Sequence, residues 1–367
     1  MLWRGCRSVF TGEEYGQLFG AFILALLCVR SMKTFILVTG SARGTELQGN
    51  RTEHRKGTMG RIRNVAVVGM GALGLLFGQR IRENLGDEHL LFLMDEARKK
   101  RHSLDEYRIN GKAVSFRMAS PDEMKGPFDL IIVATKYSGL YEARDLIRTV
   151  VGPDTVIVSL LNGISSEKIL AEVFEREQII DCVAIGMDAV REGTSLTYQH
   201  MGRWQVGSVM KEQDKNLADL TQFLDTSGIE YEVCSDIRRA MWNKFMINVG
   251  INQTCMVYET NYGGATSPLS RAYEDMEKAM HEVIAVAKAE GIDLTEEDFE
   301  KDIRILRSLN PEGTPSMRQD ALAGRPSEVE LFAGIMLRIA AQHGIDVPVN
   351  RRYYNTIIGM ERGIALS

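Results

Sequence analysis

The stretch Asn64-Val65-Ala66-Val67-Val68-Gly69-Met70-Gly71-Ala72-Leu73-Gly74 decides the fold of this chain. Residues 64–68 form a short apolar run rich in β-branched side chains, and residues 73–85 continue as an amphipathic segment. Between them Gly69, Gly71 and Gly74 spell GxGxxG. Strand, tight turn and helix in this order let the backbone approach a diphosphate and aim a helix N-terminus at the anion. Gly69, Met70, Gly71, Ala72, Leu73 and Gly74 are therefore the candidate cofactor-binding turn. A ligand-free glycine turn would need this spacing by accident.

Working outward, further apolar runs cover residues 90–94, 130–134 and 155–161. Strands alternating with helical segments at this spacing predict a parallel sheet with helices on both faces. From residue 182 to 209 shorter pieces punctuated by Gly186, Gly193, Gly202 and Gly207 are expected to be antiparallel hairpin strands completing that sheet. Beyond Asp236 the pattern turns helical, over residues 237–256, 269–290, 317–322 and 328–343. Two of these segments run into Gly-Ile-Asp, at Gly291 and Gly344, the ordinary helix stop. The fold class is thus α/β: a Rossmann-type dinucleotide-binding domain over 59–235, followed by an all-helical C-terminal domain over 236–367 that would carry substrate and catalysis.

The 367 residues suffice for two such domains, and 44% hydrophobic with 25% charged content is globular in character. Residues 1–58 hold 8 of the 44 basic residues and 4 of the 49 acidic ones, so the remainder has 36 against 45 and a net charge near −9. That balance speaks against nucleic acid and anionic membrane as partners, while a locally basic pocket can still capture a small anion. Five cysteines without regular spacing suggest neither a disulfide framework nor a metal site, and point to a reducing, cytoplasmic setting. The apolar run 19–29 is short for a bilayer span and has its basic flank on the wrong side for a signal peptide. Residues 1–58 are expected to be an unstructured extension or a mis-set start, with an anchor or exported precursor as the alternative.

In an open parallel sheet the ligand lies beyond the carboxyl ends of the strands. Three polar residues are expected there. Asp95, at the end of the second run, is placed to chelate a ribose diol and favour NAD(H), although Arg98, Lys99, Lys100 and Arg101 follow and could pair with a 2′-phosphate or form a solvated helix face. Lys136 follows the third run and Asn162-Gly163 the fourth. In the helical half, Lys244, Asn248 and Asn252 stand four apart and share one face of an otherwise largely apolar helix. Such a narrow polar stripe, built partly from the poor helix former asparagine, points to chemistry and not to a solvent edge. Ser316, after Pro315, reads equally as a helix cap, and Glu328 as a first-turn carboxylate.

Taken together and in this order, the glycine turn, Lys136, Leu161-Asn162-Gly163, Asn243-Lys244, Asn248, Asn252, Ser316-Met317, Asp320, Glu328 and Gly344-Ile345-Asp346-Val347-Pro348 resemble the ketopantoate reductase (2-dehydropantoate 2-reductase) family over residues 64–350. The resemblance implies reduction of ketopantoate to pantoate, a step of pantothenate biosynthesis, with NADP(H) as cofactor and a small 2-keto acid as substrate. It assigns Lys244 as the general acid and Glu328 as the carboxylate that helps place Lys244, the substrate and the cofactor. Asn248, Asn252, Ser316 and Asn162 become substrate contacts, with Lys136 and Asn162 beside the nicotinamide. The family usually has an arginine just after the second strand to hold the NADP phosphate, where this chain has Asp95-Glu96, so NAD(H) is the competing expectation. A long helical second domain is also compatible with a homodimer. Two other readings compete: a related two-domain 3-hydroxy acid dehydrogenase, which does not call for Ser316 and Glu328, and a non-catalytic cofactor-sensing module, which has no use for the lysine and asparagine stripe.

Overall fold

Four β-branched or leucine-rich runs, each too short for a helix and buried on both faces, form the centre of the molecule. In a computed structural model, which describes residues 60–363, they are β1 (Val65–Val68), β2 (Leu90–Leu93), β6 (Leu130–Val133) and β7 (Val156–Ser159). The intervening chain supplies β3 (Tyr107–Ile109), β4 (Lys112–Val114) and β5 (Met118–Ala119). After them come β8 (Ile179–Met187), β9 (Val190–Glu192), β10 (Ser195–Thr197), β11 (Met201–Gly207) and β12 (Tyr231–Val233). The main sheet has the order β12-β11-β8-β7-β6-β1-β2-β5. β2, β1, β6, β7 and β8 are mutually parallel in sequence of contact, and only β11 runs antiparallel to its neighbour β8. Parallel pairing brings the carboxyl ends of β1, β2, β6 and β7 to one edge, which is where Gly69, Asp95, Lys136 and Asn162 emerge.

The expectation for residues 182–209 holds for β8 and β11 and fails for the hairpin between them. β9 and β10 leave the main sheet and join β3 and β4 in a separate four-stranded sheet, β4-β3-β10-β9. The physical reason is the left-handed glycine pair: Gly186 and Gly202 both have positive φ, and a Cβ at Gly202 would strike the backbone of β8. The two strands can therefore kink here and peel away.

From Asp236 onward the described chain is helical. The central helix, Ile237–Val257, is capped by Asp236, whose side chain accepts from the Arg239 amide, and it packs along Arg271–Ala289. Trp242, Phe245, Met246, Val249, Met276, Met280 and Val283 form the middle of this second core. Three helices of this half escape the sequence patterns, the short Tyr262–Ala265 and the longer Glu296–Ser308 and Pro348–Glu361. The segment expected to be one helix over 328–343 is instead a loop through Glu328, a π-helical turn at Glu330–Gly334 and a helix at Ile335–Gln342. Among the described residues no helix is long and apolar enough to cross a membrane. The expectations for residues 1–58 and for the apolar run 19–29 lie outside the described residues.

Candidate active site

The glycine turn is built from three residues that are glycine for three reasons. Gly69 has φ +109°, and a Cβ there would lie 2.6 Å from the Ala134 carbonyl oxygen. A Cβ at Gly74 would collide with the Gly69 carbonyl, so its absence seats the Ala72–Leu85 helix against β1. Gly71 differs: φ is −75°, and a Cβ would meet only the Ala134 oxygen at 3.5 Å, an ordinary contact. Nothing inside the protein demands glycine at 71. The helix also begins at Gly71 without any side-chain cap. Open space above Gly71 and uncapped amides at a helix start fit a diphosphate approaching the backbone.

Asp95 caps the next helix, Glu96–His102, accepting from the Arg98 amide at 2.7 Å and from Arg98 Nη1 at 2.9 Å. Burial works against its charge, but the Arg98 amide and guanidinium hold the carboxyl below its ordinary range. Half of the basic run that follows is neutralised. Arg98 Nη2 also reaches Glu142 Oε2 at 2.6 Å, and Lys99 pairs with Glu123 and Glu96. Lys100 and Arg101 are exposed. The solvated-face reading thus fits half of the run, and Asp95 keeps its charge.

Lys244 points inward from the central helix to the carboxyl edge of the sheet. Its ammonium is enclosed although the residue as a whole is half-buried. Nζ donates to the Ala184 carbonyl at 2.6 Å and to Asn162 Oδ1 at 3.0 Å. An ammonium has three donors, so one remains for a ligand. Burial pushes the Lys244 pKa down to about 8, opposed by attraction to Cys182 and Glu328. Gly163, with φ +93°, lets the loop after β7 pass close to Leu331 of the π-helical turn, where a Cβ would sit 2.7 Å from that side chain. Glu328, two residues before that turn, lies within electrostatic reach of Lys136 and Lys244.

Asn248 and Asn252 do stand in a row with Lys244, but they are used differently. Asn252 is buried, donates to Asn248 Oδ1 at 3.2 Å, and accepts from Ser316 Oγ at 3.3 Å and the Met317 amide at 3.1 Å. Ser316 is therefore not a helix cap; it opens the Ser316–Leu322 helix and leans on Asn252. Asn248 Nδ2 is buried without a protein partner and is the one amide donor of the stripe left for a ligand. Glu328 lies near Lys244 with no hydrogen bond between them, and burial raises its carboxyl above the ordinary range against the pull of Lys136 and with the push of Asp320. Lys136 itself pairs with Asp320 across the two halves at 2.5 Å, and Asp320 is also held by Arg325 at 2.8 Å. Asp320 was visible in sequence only as part of the family pattern; nothing local marks an acid 184 residues away as the partner of Lys136. The arrangement can hold a small anion between Lys244 and Asn248 and deliver a proton to it.

Comparison with known proteins places the chain in a family. Residues 65–210 match the family model described as ketopantoate reductase PanE/ApbA, and residues 236–361 match its C-terminal counterpart. A 2-dehydropantoate 2-reductase of Halobacterium salinarum is 28% identical over 295 residues, covering 78% of this chain and 95% of that protein. One from Archaeoglobus fulgidus is 24% identical over 309 residues, covering 83% and 100%. Among solved structures, 2-dehydropantoate 2-reductase from Geobacter metallireducens superposes with a TM-score of 0.71 at 24% identity, covering 81% of this chain and 99% of that one. D-mandelate dehydrogenase with NADH and anilino(oxo)acetate gives 0.73 at 23% identity, covering 83% and 100%. At these identities the structural likeness speaks to the fold.

Proposed function

Because this chain belongs to the ketopantoate reductase family, we propose that it is an oxidoreductase that reduces ketopantoate to pantoate with a nicotinamide dinucleotide. The observation that carries the reading is the enclosed Lys244 ammonium, seated at the edge where the parallel strands end, with one donor unspent. The turn Gly69 to Gly74 and the uncapped helix start would hold the cofactor's diphosphate, Asp95 its adenosine ribose, and Lys136, Asn162 and Glu328 would line the nicotinamide end. The cofactor, when bound, supplies the hydride that the keto carbon accepts.

Everything else falls to the chain. Asn162 and the Ala184 carbonyl fix Nζ of Lys244, whose charge stabilises the oxygen as it becomes an alkoxide and whose proton then quenches it. A lysine pKa near 8 keeps the acid charged at neutral pH while easing release of the proton. Asn248 Nδ2 would bind the substrate carboxylate or hydroxyl, and Asn252 would hold Asn248 and Ser316 in register. Glu328, half-buried and within electrostatic reach of Lys136 and Lys244, would tune both cations. This cluster favours a reductase over a cofactor sensor, which needs no enclosed acid. Asp95 keeps its charge where a 2′-phosphate would sit, so NADH is the favoured cofactor.

The test is to follow oxidation of NADH and NADPH separately with ketopantoate, phenylglyoxylate and the 3-oxo acid partner of 3-hydroxyisobutyrate. Fastest turnover on ketopantoate is expected. Selectivity for either other acid would replace ketopantoate as the substrate.

A further inference from the structure

The small sheet brings to the glycine turn a cation that no sequence pattern signals. Arg191, on β9, is half-buried and lies 121 residues from Met70, the second residue of the turn. Its Nη1 donates to the Met70 carbonyl at 2.5 Å and its Nε to the Gly193 carbonyl at 2.8 Å. Both partners are neutral backbone oxygens, so the guanidinium is oriented without being compensated. Arg98 shows the contrast, with its charge shared between Asp95 and Glu142. Among the described residues Arg191 is in no ion pair; Asp105 feels its field but is engaged first by His102.

A guanidinium has five donors in a planar fork suited to phosphate, and here Nη2 is unspent among the described residues. Parking such a group against the carbonyl of an anion-binding turn places a full positive charge beside the partial charges of the helix start. The β9–β10 hairpin can do this only because the Gly186 and Gly202 kinks release it from the main sheet.

Resting on the dinucleotide reading above, we propose that Arg191 contacts a phosphate of the bound dinucleotide, completing the anion site begun by the glycine turn. The diphosphate is nearest in sequence logic, and the 2′-phosphate of NADPH presents the same chemistry.

Equilibrium binding of NADH and of NADPH, followed by quenching of intrinsic fluorescence over a range of salt concentrations, tests this without turnover. Arg191→Gln keeps a donor for the Met70 carbonyl and removes the charge. It is expected to weaken binding about 10- to 100-fold and to flatten its salt dependence. Arg191→Lys should restore the salt dependence with part of the affinity. Equal losses for both cofactors locate the contact at the diphosphate, and a loss confined to NADPH locates it at the 2′-phosphate. Affinity within twofold of the parent, or a loss with unchanged salt dependence, overturns the proposal in favour of a structural strut. A parent protein that binds neither cofactor overturns the dinucleotide reading itself.

Discussion

Removing the Lys244 ammonium gives the sharpest kinetic expectation. With a pKa of about 8, the group is roughly nine-tenths charged at pH 7 and one-tenth at pH 9. Only the charged form can both stabilise an alkoxide and give it a proton, so kcat/KM should be flat below pH 7 and fall about tenfold per unit above pH 8. A lysine at its ordinary value near 10.4 would postpone that fall by more than two units. In kcat the limb should move upward, because a bound carboxylate favours the ammonium. Lys244→Ala loses the acid and one oxyanion donor, and the plateau should drop roughly 10²- to 10⁴-fold, or about 3 to 5 kcal/mol of barrier. The assay is initial-rate kinetics with ketopantoate from pH 6 to 10, with cofactor affinity measured alongside and expected to stay within a few fold. An alkaline limb that persists unchanged in Lys244→Ala, or turnover within tenfold of the parent, refutes the assignment of the proton to this side chain.

Two further expectations follow from single atoms. Gly71→Ala should leave the thermal midpoint nearly unchanged, since its Cβ meets nothing closer than 3.5 Å, yet raise the cofactor dissociation constant about tenfold or more; a large loss of stability with unaltered binding would mean that Gly71 serves packing. Asp302 is buried, its Oδ2 and the Asn243 Oδ1 both lack partners, and burial raises its pKa to about 7. Because the folded carboxyl takes its proton above the unfolded range, its contribution is lost as pH rises through 7. Asp302→Asn, which can pair both ways with Asn243, should gain roughly 1–3 kcal/mol at pH 8 and nothing near pH 4 in denaturant unfolding; an equal effect at both pH values would contradict a carboxyl that takes its proton near pH 7.

The parts of this molecule that sequence exposes are those in which one physical requirement governs adjacent residues. Strands buried on both faces must be apolar throughout, and β1, β2, β6 and β7 were each legible to within two residues at either end. The stripe of Lys244, Asn248 and Asn252 was legible because three polar residues on one helical face of an apolar helix conflict with burial unless they meet partners. The Glu296–Ser308 helix was missed because its polar content hides the few buried positions, Phe299, Ile303 and Leu306, although the Thr295 to Asp298 capping box signals its start. Pro348 likewise opens a helix, its fixed φ suiting the first helical position. Apolar residues following Glu328 at helical spacing suggest that it opens a helix, whereas the helix starts only at Glu330, with a π-helical turn, and leaves the carboxylate in the preceding loop.

What sequence could not carry are pairings fixed by tertiary approach. Lys136 with Asp320, Lys244 with the Ala184 carbonyl, and Arg191 with the Met70 carbonyl each join residues of different elements. The hairpin that carries Arg191 looks locally like any continuation of the sheet; the left-handed Gly186 and Gly202 release it, and pairing of β10 with β3, far away in sequence, seats it in the second sheet.

The proposed reduction requires Lys244 to meet the reacting oxygen in the crevice between the sheet and the helical half. A crystal structure with oxidised cofactor and a non-reducible 2-oxo acid analogue measures this directly. Nζ of Lys244 within roughly 3 Å of the analogue's keto oxygen, still held by Asn162, is the predicted result. A keto oxygen hydrogen-bonded to another donor, with Lys244 remaining apart from the ligand, would contradict it.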